Sequence, residues 1–195
     1  METTTTPIWT SAGATIRYTP EHRFDSETMR HFVNDVPTVL HCHHYATLFT
    51  QLATDAEQLG GPAHLVEAAA EAFYRVLSEY LESHEVHERA DRIAVVEQYF
   101  AFAGLGTIRF EIGPRTASMV LPHSHIDEGW IERWGVRDKR VNYIGEGYVK
   151  AAIAAVLDLA DWHHVAVEET ASIVCGASAS TFVASLEWQE GRDGN

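Results

Sequence analysis

The sequence predicts an α+β fold in which a helical N-terminal half packs on an antiparallel sheet. Up to about residue 103 the apolar residues recur at three- and four-residue intervals, the spacing of one helix face. From Thr107 onward they alternate with polar residues between turns that carry Gly and Pro, the pattern of half-buried strands. The chain has 195 residues and 46% hydrophobic content, enough for one full core, so a single domain over residues 1–195 is expected.

Taken in order, residues 14–18 read as a short strand. Tyr45, Leu48, Phe49, Leu52, Ala53 and Ala56 then mark an amphipathic helix over 38–59, with that stripe turned to the core, and Gly60-Gly61 ends it. Pro62 suits the first turn of a second helix, whose stripe is Val66, Ala69, Ala70, Phe73, Leu77 and Tyr80. A third helix over 87–103 carries Ile93, Val96 and Phe100 and stops at Gly104-Leu105-Gly106. Ile108, Phe110 and Ile112 alternate with Thr107, Arg109 and Glu111, and Gly113-Pro114 turns the chain into a second strand over 116–121. A short helix over 126–134, a strand over 141–144 and a helix over 147–159 follow. The runs 163–174 and 181–188 read as a terminal hairpin turned at Gly176-Ala177-Ser178. The Thr-rich first residues and the tail from Gly191 read as frayed ends.

The formal net charge of −14 is spread through the chain without a basic block, so the phosphate-neutralising term behind nucleic-acid and anionic-membrane binding is missing. No apolar run approaches the roughly 20 residues of a membrane span, and the first residues lack the parts of a signal peptide. Cys42 and Cys175 are too few for a disulfide framework. A cytoplasmic protein with no nucleic-acid or membrane partner is the expectation.

The chemistry is concentrated in histidines. His41-Cys42-His43-His44-Tyr45 puts four metal-capable side chains into five positions, and His123-Ser124-His125 and His163-His164 recur downstream. On a helix, His41 neighbours His44 and Tyr45, with His43 rotated away; in an extended segment His41 and His43 share a face, so either geometry gives a pair. The plainer reading makes His41 and His44 hydrogen-bonded helix-end residues and Cys42 a small buried hydrophobe. His123 and His125 bracket one residue at a strand end, ahead of Asp127 and Glu128; Ser124 or Asp127 reads as the N-cap of the next helix. A metal centre with three protein ligands and an open position can be drawn from these pairs. The ligands expected are His41, His44, His123 and His125, and Fe and Zn fit them equally. Of His163 and His164, alternation sends one inward and one outward. His84 and His87, among glutamates, read as a solvated helix end. Cys175, beside Gly176 in a turn, is a further nucleophile candidate. Phosphate loops, dinucleotide fingerprints, nucleophile elbows and His-Glu-x-x-His helices are absent.

The run Asn142-Tyr143-Ile144-Gly145-Glu146-Gly147-Tyr148, then Glu169-x-x-Ser172, Gly176, Ser180-x-Phe182 and Trp188, resembles the C-terminal signature of the 4-vinyl-reductase (hydrocarbon-binding) domain family. The segment from Ser124-His125 to Gly129-Trp130 is similar too, and the resemblance covers about residues 107–188. In that family the pattern reads Cys-Trp-x-x-x-Gly-Tyr, Glu-x-x-Cys, Gly and Cys-x-Phe. The resemblance implies a small aromatic or hydrocarbon ligand in a pocket beside the sheet and, in phenol-sensing members, a zinc held by the three cysteines and the glutamate. Here the cysteine positions are Asn142, Ser172 and Ser180, so of that ligand set only Glu169 remains.

Two functions follow as expectations. One is a metal-dependent enzyme acting on a small, mostly apolar or aromatic molecule, with Tyr45, Phe100, Phe110, Trp130 and Tyr148 lining its pocket beside a histidine-bound Fe or Zn. The other is a non-catalytic small-molecule binding or sensing protein, as the resemblance implies. A homodimer is compatible with both.

Overall fold

A computed structural model describes residues 8–39 and 41–186. The expected frayed ends and Trp188 lie outside them. The fold is α+β: the described residues form five α-helices and two antiparallel sheets. The smaller sheet is built from β1 (His22–Asp25), β2 (Arg30–Val33) and β3 (Val36–Thr38), in that order. The larger has the order β4-β5-β7-β6, from β4 (Gly106–Ile112), β5 (Thr116–Ser124), β6 (Val165–Ala171) and β7 (Ser180–Leu186). The helices are α1 (His43–Asp55), α2 (Gly61–Ser83), α3 (Arg89–Phe102), α4 (His125–Trp134) and α5 (Tyr143–Val156). No helix among the described residues is long and apolar enough to cross a membrane.

Helix α5 is the centre of the packing. Tyr148, Val149 and every residue from Ala151 to Val156 are buried, because α2 and α3 cover one side of the helix and the larger sheet the other. The sheet answers with Ile108, Phe110 and Ile112 from β4, Met119 and Leu121 from β5, and Phe182 and Ala184 from β7, all within 3% of full burial. Each such aliphatic or aromatic side chain contributes about 1.5–3 kcal/mol relative to exposure. Gly147 lets α5 close on α2: a Cβ there would lie 2.4 Å from the Val66 carbonyl oxygen and 2.7 Å from the Ala69 Cβ.

The second and third helices, the 108–112 alternation, the helix opened by Ser124 and the terminal hairpin form as expected; the Ser124 hydroxyl accepts from the Asp127 backbone N–H at 3.2 Å. Five expectations are corrected. Residues 14–18 form no strand, because side chains of α3 take their backbone donors: Asp91 Oδ1 accepts from Thr15 N at 2.7 Å and Gln98 Oε1 from Tyr18 N at 2.9 Å. The helix expected over 38–59 starts at His43, since β3 occupies 36–38, in a hairpin with β2 whose turn residues Asn34 and Asp35 have φ of 48° and 61°. Most of its stripe faces outward: Tyr45, Leu48, Phe49 and Leu52 are exposed, while of the stripe Ala53 is buried, together with Ala46, Thr47 and Thr50, against α2 and α4. No strand forms over 141–144, because the Asn142 side chain caps α5 and the helix begins at Tyr143. Finally, β6 starts at Val165, so His163 and His164 precede the alternation and both are exposed.

Candidate functional site

The inner face of the larger sheet is apolar along most of its length and turns polar at one end. There Ser124 closes β5, Ser180 opens β7 and Glu169 sits on β6, all buried. Asp127 from the first turn of α4 and Asn142 from the cap of α5 complete the cluster. Asn142 Nδ2 donates to Ser124 Oγ at 3.1 Å and to Asp127 Oδ2 at 2.9 Å, and Ser180 Oγ donates to the same carboxylate oxygen at 2.7 Å. Ser180 Oγ also accepts from Ile173 N at 3.0 Å. Asp127 Oδ1, Glu169 Oε1 and Ser172 Oγ are buried without a hydrogen-bond partner among the described residues.

Burial disfavours both carboxylate charges. It raises the Asp127 carboxyl, against the opposing effect of donors from Ser180, Ser124 and Asn142. It pushes Glu169 up to about 7, helped by the neighbouring Asp127 charge and opposed by the nearby Ser172 and Ser180 hydroxyls. The pair therefore holds a proton close to neutral pH. The four positions implied as zinc ligands, Asn142, Glu169, Ser172 and Ser180, do gather here, but the donor set does not fit that zinc. It offers no thiolate, and the amide of Asn142 and the hydroxyl of Ser180 are spent on protein hydrogen bonds.

A second cluster lies where α1 crosses α4. Gly129 permits the contact: a Cβ there would sit 2.7 Å from the His43 Cβ. His43 Nε2 lies 2.8 Å from Glu132 Oε2, and the His43 and His44 rings meet edge to face at 4.2 Å. The His125 ring centroid is 5.8 Å from that of His43 and 6.0 Å from that of His41. Burial, together with repulsion from His41 and His43, lowers the His125 pKa. Thus the structure brings the His41–His44 segment to His125. His123 instead points to solvent and pairs with Glu128 at 3.3 Å, with its side chain 74% exposed. Sequence reasoning set His43 aside and missed Glu132. The late start of α1 moves His43 onto the α4 side, and the position of Glu132 one turn past Gly129 means nothing until the crossing is known.

The five aromatic residues expected to line a pocket fall into three places. Tyr148, Phe100 and Phe110 belong to the main core, where the Tyr148 ring meets Phe100 at 4.7 Å and Phe73 at 5.0 Å and its hydroxyl donates to the Val96 carbonyl. Trp130 packs separately with Val141 and Val174. Tyr45 is exposed beside His41, ring to ring at 5.6 Å. Cys42 and Cys175 are free and exposed.

Neither a family model nor a curated protein matches the sequence. Among solved structures, the fold is similar to the phenol-responsive sensory domain of the transcription activator PoxR, crystallised with phenol: TM-score 0.68 at 12% identity, over 86% of this chain and 87% of that one. A trafficking protein particle complex subunit 3 from Naegleria fowleri, covalently bound to palmitic acid, matches at TM-score 0.49 and 11% identity, over 75% of this chain and 95% of that one.

Proposed function

We propose that this chain is a small-molecule-binding domain of the sensory kind, built on a 4-vinyl-reductase-like fold and accepting a small, mostly apolar or aromatic ligand. The observation that carries this reading is the likeness of fold to a phenol-responsive sensory domain across 86% of the chain. The aromatic group around Tyr148, with Phe73, Tyr99 and Phe100, supplies chemistry suited to such a ligand beside the sheet. A phenol hydroxyl entering there would compete for the Val96 carbonyl that Tyr148 now holds. The net charge of −14 disfavours polyanions. The fold likeness supports binding over turnover, and the metal-dependent enzyme reading is set aside.

A thermal-shift screen over phenols, short carboxylates and nucleotides tests the proposal, since a ligand that binds only the folded chain raises its melting point by mass action. Phenols should stabilise the protein, and Phe100→Ala should weaken that response. Stabilisation by nucleotides alone would overturn it.

A further inference from the structure

The crossing of α1 and α4 holds chemistry that the binding reading does not use. One ligand atom each of His43, His44 and Glu132 lies within 4.8 Å of the other two, and His43 Nε2 already meets Glu132 Oε2 at 2.8 Å. We propose that His43, His44 and Glu132 form a site for a divalent transition ion of the borderline class, zinc foremost, with a fourth position open to solvent.

Bonds of about 2.0–2.2 Å in a tetrahedral site set ligand atoms roughly 3.4 Å apart. Closing the triad therefore needs shifts of about 1 Å, within the rotamer freedom of exposed side chains. Glu132 has that freedom, with a side chain 60% exposed. The backbone is held in advance: Gly129 fixes the approach of α4 to His43, and a side chain there would drive the two ligand-bearing segments apart. Binding forms one bond from the ion to each of the three side chains, releases the waters those ligands replace, and breaks the direct His43–Glu132 contact.

Electrostatics favour the cation on balance. His43 opens α1, where the partial positive charge of the helix end opposes it, but Glu132 supplies a full negative charge in the last turn of α4, where the helix end is partially negative. Two imidazoles and one carboxylate select Zn²⁺, Co²⁺, Ni²⁺ or Cu²⁺ and not Ca²⁺ or Mg²⁺, which prefer sets of oxygens. The site lies at the α1–α4 crossing and the aromatic group of the ligand reading lies in the main core, so either can fail without the other.

The test is titration of the chelator-stripped full chain with Co²⁺, followed by displacement with Zn²⁺. The expected result is the intense visible absorption of four-coordinate cobalt, saturating at about one ion per chain, bleached by zinc, with a zinc-dependent rise in melting point. His43→Ala and Glu132→Gln should each weaken binding by at least the roughly 10- to 100-fold that loss of a mere outer-shell partner causes, while His123→Ala and His163→Ala leave it unchanged. Should His43→Ala not fold, Glu132→Gln carries the test, because that side chain is mostly exposed. Absence of saturable cobalt absorption, or a Glu132→Gln variant that binds as the parent does, overturns the proposal.

Discussion

Asn142 ties the starts of two helices together: its Nδ2 donates to Asp127 Oδ2 at 2.9 Å in the first turn of α4, while its Oδ1 accepts from Gly145 N at 2.9 Å in the first turn of α5. One side chain thus caps the central helix and donates to one oxygen of a buried carboxylate.

Replacing Asn142 with Ala removes these two contacts and the third, to Ser124 Oγ. Loss of an N-cap costs about 1 kcal/mol, and withdrawing a donor from a buried acceptor adds about 1–2 kcal/mol. A loss of about 2–3 kcal/mol is expected by urea denaturation, and Asn142→Asp, which keeps the cap but sets a second carboxylate against Asp127, should not recover it. An unchanged midpoint in Asn142→Ala would mean that the network contributes nothing to stability.

The buried Glu169 should make stability depend on pH. Its pKa rises from the ordinary 4.5 to about 7 on folding, so the folded state binds the proton more tightly than the unfolded chain does. That contribution is complete below about 4.5 and is lost as pH climbs through about 7; at about 1.4 kcal/mol per pKa unit it amounts to at most roughly 3 kcal/mol. The melting point of the parent should fall between pH 5 and pH 8 more steeply than that of Glu169→Gln. Parallel profiles for the two would refute the assignment.

Gly147→Ala tests the seam between α5 and α2. The added methyl would lie 2.4 Å from the Val66 carbonyl oxygen, a backbone atom that cannot turn aside. Overpacking of this kind costs about 1–3 kcal/mol, against up to about 1 kcal/mol gained from better helix propensity, and the backbone clash puts the cost at the upper end. The melting point should drop, and a rise would show that the helices can separate freely.

Much of this architecture was legible because it rests on side chains that alternate or recur. Ile108, Phe110 and Ile112 all point inward, as their spacing requires, and Val66, Ala70, Leu77 and Tyr80 bury the predicted face of α2. What could not be read depended on close approach. The helix expected over 147–159 starts earlier, at Tyr143, with Gly145 beside its cap and Gly147 against α2. The face of α1 was inverted because Ala46, Thr47, Thr50 and Ala53 suit a tight crossing better than the larger apolar residues beside them. The Asn34-Asp35 turn between Val33 and Val36 is a hairpin signal that went unread, and with it the smaller sheet. At the polar end of the sheet, Ser124 or Asp127 was read as the helix cap; Ser124 is that cap and Asp127 lies one turn inside the helix, and their second role beside Glu169 appears only when β5, β6 and β7 are in register.

The inverted face of α1 also sets how firmly that helix is held. It anchors through Ala46, Thr47, Thr50 and Ala53, which shield little apolar surface, whereas α5 hides Tyr148, Ile153 and a run of smaller apolar residues completely. Local opening free energies follow such differences. In hydrogen exchange the amides of α1 should therefore be replaced well before those of α5, which should exchange only with global unfolding. Because His43 and His44 ride on α1, an ion bridging them to Glu132 would slow exchange in this helix while leaving α5 unaltered.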